Sequence, residues 1–318
     1  MISLFPTILN ALAPPFLLIL LGHALKRLHV LHPAHVPILN GLVINVTLPA
    51  LVLLGLLGAP ALSPHLALLP PAMIAAEIAV FGVAYGAGKL LRLPAPLLGA
   101  VLMTGVFGNT GFIGYPLTLA LLPRQFPATI IIDQFGMTVP MYLAAALLGA
   151  KFGGVGGGRE AVSRFLRSPI FLSAILGLTL RQISVPTALA ALPILRETSA
   201  ALFKCLEYLG QGTTPLVLLA LGVALHPGAV RGRMAPLLVA CGCKLLLCPI
   251  VFWGACRLLG IGGEVRMDGV LEAAMPTAVM ASVLSGQNDL EGDFAVGVVF
   301  VSTVLSALTV PILLTLLR

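Results

Sequence analysis

The amino-acid sequence predicts an all-α polytopic membrane protein: ten transmembrane helices in two inverted five-helix repeats, with the fourth helix of each repeat broken and the two breaks crossing. Three observations carry that expectation. Hydrophobic residues make up 59% of the 318 residues and charged residues 9%, with a mean hydropathy of +1.09, far outside the soluble range. The apolar runs are about 17 to 25 residues long, which suits helices and not the ten-residue alternating segments of a membrane barrel. One of those runs is interrupted by Gly108-Asn109-Thr110-Gly111-Phe112-Ile113-Gly114-Tyr115-Pro116, a stretch that no continuous lipid-facing helix should contain.

Cut at charges, prolines and glycines, the predicted spans cover 8–28, 37–57, 67–91, 97–122, 126–150, 168–184, 208–226, 235–258, 269–287 and 294–317. The first run has Lys26 and Arg27 after it rather than before it, so it reads as a retained span and not as a secretory signal. Residues 1–150 form the first repeat, 151–167 a cytoplasmic Gly/Arg linker, and 168–318 the second repeat. Residues 187–207, with Arg196, Glu197, Lys204 and Glu207 among leucines and alanines, read as an amphipathic helix in the membrane interface.

The interrupted fourth span is the informative one. Three glycines each cost about 1 kcal/mol of helix propensity, and a proline deletes a backbone hydrogen bond at about 3 kcal/mol. Within a bilayer such a break is tolerated only where protein or a water-filled cavity receives the freed groups. The second half of the chain echoes the first: Thr47-Leu48-Pro49 resembles Thr213-Thr214-Pro215, and Thr138-Val139-Pro140 resembles Thr309-Val310-Pro311. Pro116 is paired with Pro276 of Ala273-Ala274-Met275-Pro276-Thr277, and the offsets run 166, 160 and 171 in chain order. Five spans per half is an odd number, so the second copy enters the membrane inverted, and paired interrupted spans point to a transporter's binding site.

The balance of Lys and Arg sets the orientation. Lys26, Arg27, Lys89, Arg92, Lys151, Arg159, Arg164, Arg167, Arg231 and Arg233 fall on one side of the predicted spans; Arg124, Arg181, Arg196, Lys204, Arg257, Arg266 and Arg318 fall on the other. The richer side is assigned to the cytoplasm, which puts both termini outside it, in a multi-pass protein of the cell inner membrane. The net charge of +7 sits as single residues between apolar runs without interleaved aromatics, so nucleic acid is not an expected partner. The five cysteines read as small apolar fillers. No cofactor or metal site is expected, and monomer or homodimer stays open.

Half-helix N-termini at the two breaks would carry about half a positive charge each, with unpaired N–H groups. They suit a small organic anion such as a carboxylate. Asn109, Thr110, Gly111, Gly114, Tyr115 and Pro116 in one break, and Met275, Pro276 and Thr277 in the other, are the candidate substrate-binding residues, with Asn45 and Gln134 as further polar groups within spans. Ionisable residues inside spans are costly and functional by default. Glu77 and Lys244 are repeat-equivalent at an offset of 167, placed either to pair with each other or to compensate the dipole ends separately. Asp133 and Glu272 are candidates for a coupling proton or Na⁺, weighed against plain solvation near span ends. No phosphate-binding loop of the Gly-x-x-x-x-Gly-Lys-Ser/Thr type is present, and no nucleophile or metal constellation for a membrane enzyme assembles. A channel is the remaining alternative.

Asn109-Thr110-Gly111-Phe112-Ile113-Gly114-Tyr115-Pro116-Leu117 resembles the signature of the auxin efflux carrier family, which includes bacterial malonate-type carriers and plant auxin exporters. Glu272-Ala273-Ala274-Met275-Pro276, the acidic loop at Asp289, Glu291 and Asp293, and a last span with Ser306 and Pro311 resemble its second signature. The resemblance implies inverted five-helix repeats with crossover helices at Pro116 and Pro276 and alternating access for an organic anion. The short linker from Lys151 to Arg167 is similar to the bacterial branch. Sodium-coupled bile acid transporters share the architecture, which would make Glu272 a suitable Na⁺ ligand.

Overall fold

A computed structural model describes residues 4–58, 64–154, 163, 165–182, 193–224 and 232–317. These residues are helical and contain no strand. The helices are α1 (Leu4–Arg27), α2 (Pro33–Leu57), α3 (Pro64–Leu90), α4 (Ala95–Val106), α5 (Thr110–Leu121), α6 (Pro123–Gly153), α7 (Pro169–Gln182), α8 (Pro193–Gln211), α9 (Thr213–Ala224), α10 (Met234–Leu258), α11 (Gly263–Ala273), α12 (Val279–Gln287) and α13 (Gly292–Leu316). Among the described residues, five stretches are long and apolar enough to cross a membrane: α2, Leu66–Leu90 of α3, α6, α10 and α13. Val155 to Arg159 and Arg164 of the expected linker, and Arg231, lie outside the described residues.

The two expected broken spans are each two short helices. The 12 residues of α4 and the 11 of α11 reach roughly 16–18 Å at about 1.5 Å per residue, about half of a hydrocarbon core near 30 Å thick. Two predicted details need correction. The ninth span was expected to start at 269, where the apolar run is cut at charges; the helix starts at Gly263 and Asp268 is fully buried in it. The pairing of Pro116 with Pro276 also shifts. Pro116 lies in the second turn of α5, whereas Pro276 lies in the break itself. The residues that face each other across the breaks are Gly108 and Thr277, and their offset of 169 agrees with the 166, 167 and 171 of the other pairs better than 160 does.

Apart from the π turn Gly149–Gly153 that ends α6, proline explains the local widening of helices into π turns, at Val43–Thr47, Thr110–Gly114, Ile132–Thr138 and Cys243–Leu247. Each is followed two residues on by a proline: Pro49, Pro116, Pro140 or Pro249. A proline has no N–H for the carbonyl four residues earlier. Those carbonyls belong to Asn45, Phe112, Gly136 and Leu245, all inside the widened turns, where the ladder shifts register to i→i+5. The polar residues read from the sequence as Asn45, Asp133, Gln134 and Lys244 therefore all sit where the helix is least regular.

The chain divides into two compact units, each drawing on both halves of the sequence: Met1–Pro14, Ser63–Ser163 and Leu225–Arg318 in one, Pro15–Leu62 and Arg164–Ala224 in the other. In the second unit, close helix contact replaces polar chemistry. A Cβ on Gly22 of α1 would fall on the Leu219 carbonyl of α9, and one on Gly222 of α9 would fall on the Ile19 carbonyl of α1. Small residues in such reciprocal positions let backbones touch where lipid offers no hydrophobic drive for association. Gly22→Ala should therefore cost about 1–3 kcal/mol, read as a lower melting temperature of the purified protein. Gly82→Ala, where a Cβ meets nothing within 4 Å, serves as the control, and equal melting of the two variants would remove the packing role of Gly22.

Candidate functional site

The breaks hold each other. The Asn109 amide donates to the Pro276 carbonyl at 2.7 Å and the Ala278 amide to the Phe107 carbonyl at 3.0 Å, bracketing the antiparallel bridge between Gly108 and Thr277. The groups left over go to side chains: Thr277 N–H to Ser302 Oγ at 3.1 Å, Gly108 N–H to Met137 Sδ at 3.2 Å, and Thr277 Oγ1 to the Thr104 carbonyl at 2.7 Å. Lys244 Nζ, fully buried, donates to the Ala273 carbonyl at 2.5 Å. That places the Lys244 side chain against the carbonyl end of α11, where the helix dipole is negative. Glu77 is buried as well, and no direct ion pair joins it to Lys244.

Around α5 the structure assembles three buried carboxylates. Asp133 accepts from Thr110 Oγ1, from Tyr115 Oη at 2.7 Å, from Gln134 Nε2 at 2.7 Å and from Thr138 Oγ1 at 3.1 Å. The Tyr115 ring is held edge-on against Phe126, with centroids 5.2 Å apart. Thr118 Oγ1 lies 3.0 Å from Asp268 Oδ1 and 3.0 Å from Glu272 Oε1, and Thr129 Oγ1 lies 2.9 and 3.0 Å from the two Asp268 oxygens. A threonine hydroxyl has one hydrogen to give. Thr118 can serve one carboxylate at a time, and Glu272 Oε2 has no hydrogen-bond partner. Solvation at a span end does not describe Asp133 or Glu272, which are 4% and 0% exposed.

Two of the three glycines of the motif follow from these neighbours. A Cβ on Gly114 would fall on the Glu272 carboxylate, and one on Gly108 would come within 2.7 Å of Lys244 Cε. On Gly111 it would sit 3.7 Å from Asp133 Oδ2, an ordinary contact. Gly108 and Gly114 are thus clearances for charged side chains.

The other candidate residues divide. Asn109 precedes α5; its carbonyl accepts from Ile113 and Gly114 at 3.0 and 3.1 Å, while Nδ2 of its buried side chain has no partner. No side chain caps the N-terminus of α5 or of α12. Met275 is buried in the second break. Gln134 Oε1 is buried without a partner. Asn45 belongs to the other compact unit, where its exposed amide donates to Gly41 of its own helix at 2.8 Å. Sequence reasoning missed Asp268, Thr118, Thr129 and Ser302. For Asp268 a signal existed: it lies one helical turn before Glu272, on the same face. The positive end of α5 is therefore met by the protein's own carboxylates.

A family model described as "Membrane transport protein" matches residues 7–152 and 158–314. An uncharacterized transporter of Methanothermobacter thermautotrophicus is 29% identical over 296 residues, covering 93% of this chain and 93% of its own. An uncharacterized transporter of Methanocaldococcus jannaschii is 26% identical over 297 residues, 92% of this chain and 94% of its own. A Rhizobium meliloti protein named "Putative malonate transporter" is 27% identical over 320 residues, 96% of this chain and 94% of its own.

Because Gly114 faces a carboxylate with no room to spare, Gly114→Ala is expected to displace Glu272 and cost about 1–3 kcal/mol. Gly111→Ala is expected to leave stability within about 0.5 kcal/mol. Melting of the two purified variants, side by side, checks the pair; a tolerated Gly114→Ala means that Glu272 does not pack there.

Proposed function

This chain belongs to the membrane transport protein family of the auxin efflux carriers, and from that premise we propose that it is a secondary carrier of a small organic anion, a malonate-like carboxylate, working by alternating access. The observation that carries the reading is the pair of mutually hydrogen-bonded breaks, each opening a half-helix whose N-terminus no side chain caps. Such ends offer N–H groups and partial positive charge to a carboxylate. The buried, unpartnered Nδ2 of Asn109 adds a donor beside both. The name of the Rhizobium relative agrees with the anion class. In this reading the two sequence halves are inverted five-span repeats, both termini are outside the cytoplasm, and the protein resides in the cell inner membrane.

A coupling cation belongs to the same reading. Glu77, Asp133, Asp268 and Glu272 are buried with a single buried lysine, Lys244. Four carboxylates against one ammonium is a charge surplus that a low-dielectric interior does not sustain alone. Loading a proton or Na⁺ at Asp133, Asp268 and Glu272 offsets it and lets an anion approach α5. The bile-acid-type Na⁺ symport expected from the resemblance is one form of this coupling.

Two experiments test the proposal. In proteoliposomes, malonate-like acids should show saturable counterflow, and Asn109→Ala should weaken apparent affinity by roughly 10- to 100-fold, the loss of one charge-assisted hydrogen bond. Absence of counterflow for every carboxylate screened sinks the anion reading. Asp268→Asn should abolish the stimulation of uptake by an imposed pH or Na⁺ gradient while counterflow continues. Gradient stimulation equal to that of the unsubstituted protein removes Asp268 from coupling.

A further inference from the structure

Where α3 and α6 end together, a groove of about 310 Å³ is lined by Phe81, Tyr85, Leu147, Leu148, Lys151 and Phe152. Its walls are apolar side chains, and Leu147 is 72% exposed. Two ammonium groups converge on one ring at its mouth: Lys89 Nζ lies 5.6 Å and Lys151 Nζ 5.9 Å from the Tyr85 centroid. Lys151 also stands 5.5 Å from the Phe152 ring. Neither lysine pairs with a carboxylate; the ion pairs among the described residues are Lys204–Glu207 and Arg233–Glu291.

The plain account of two such lysines is that they complement helix dipoles, since Lys89 is in the last turn of α3 and Lys151 in that of α6. That account is incomplete by charge. Each helix end carries about half a negative charge, so the two helix ends alone offset about half of the lysines' charge above an apolar slot. One phosphodiester supplies one negative charge. We propose that this groove binds one anionic phospholipid, its phosphate held by Lys89 and Lys151 and an acyl chain lying along Phe81 and Leu147. A free phosphate would gain nothing from those walls, and a zwitterionic lipid carries its own cation against the two lysines. The site lies on the side that the Lys and Arg balance assigns to the cytoplasm, whose leaflet is the negatively charged one. The proposal stands apart from the identity of the transported anion.

The test is thermal melting of the full chain in a neutral detergent with added phosphatidylglycerol, phosphatidylcholine or inorganic phosphate. Phosphatidylglycerol should raise the melting temperature by about 2 °C or more; phosphatidylcholine and phosphate should not. A Lys89→Gln/Lys151→Gln variant should lose that rise, and Tyr85→Phe, which keeps a ring under the ammonium groups, should retain it. An equal rise with phosphatidylcholine, or an undiminished rise in the double variant, overturns the proposal. Native mass spectrometry of the unsubstituted protein with equimolar lipids decides the matter even if the double variant fails to fold: one retained phosphatidylglycerol in preference to phosphatidylcholine supports it, and no preference overturns it.

Discussion

A backbone amide or carbonyl left unpaired in hydrocarbon costs several kcal/mol, and two interrupted helices expose several such groups at the same depth. The arrangement from Phe107 to Asn109 and from Met275 to Ala278 solves both problems at once, because each break supplies what the other lacks. Phe107 offers a carbonyl that Ala278 uses, and Pro276, which has no N–H of its own, offers one that Asn109 uses. What the pairing cannot satisfy is met by Ser302, Met137, Thr277 and Lys244. Each break takes hydrogen bonds from the other, which makes the pair a single element.

The charges follow from that element. Lys244 reaches the end of α11 only because residue 108 is glycine, and Glu272 reaches α5 only because residue 114 is glycine. Hydroxyls of Thr110, Tyr115, Thr118 and Thr129 then hold the carboxylates in fixed positions, but hydroxyls supply hydrogens and not positive charge. The half-helix ends alone would favour an anion at α5; the carboxylates beside it reverse that preference locally. Under the proposed carrier reading, an anion and a cation placed there would depend on each other, which is the thermodynamic requirement for coupled transport.

Much of this was legible in the residues and some was not, for identifiable reasons. Long apolar runs, the break after Val106, and the ionisable Glu77, Asp133, Lys244 and Glu272 are visible because composition and helix propensity are local properties. Asp268 was hidden because a span cut at charges starts too late: the partners that let a carboxylate sit inside the helix, Thr118 and Thr129, lie about 140 to 150 residues earlier in the chain. The register of the second break was misread because Pro116 and Pro276 look alike in sequence while doing different work. One resolves a widened turn within a helix; the other leaves a carbonyl for its partner break. Only tertiary pairing separates those roles.

The distribution of polarity between the two compact units carries the argument one step further. Every buried charged residue among the described residues belongs to the unit that contains both breaks, whereas the described buried polar groups of the other unit are Thr47 and Thr213. Burying charge costs several kcal/mol per group even when partners exist, so its confinement to one unit keeps the electrostatic cost in a single, densely hydrogen-bonded body. The other unit has close backbone contact at Gly22, Gly177 and Gly222, which needs no polar partners. Asp133, Asp268 and Glu272 all lie within one unit, so under the proposed carrier reading a change in their charge would act first on that unit, and a ligand that favours one arrangement of it would shift a conformational equilibrium.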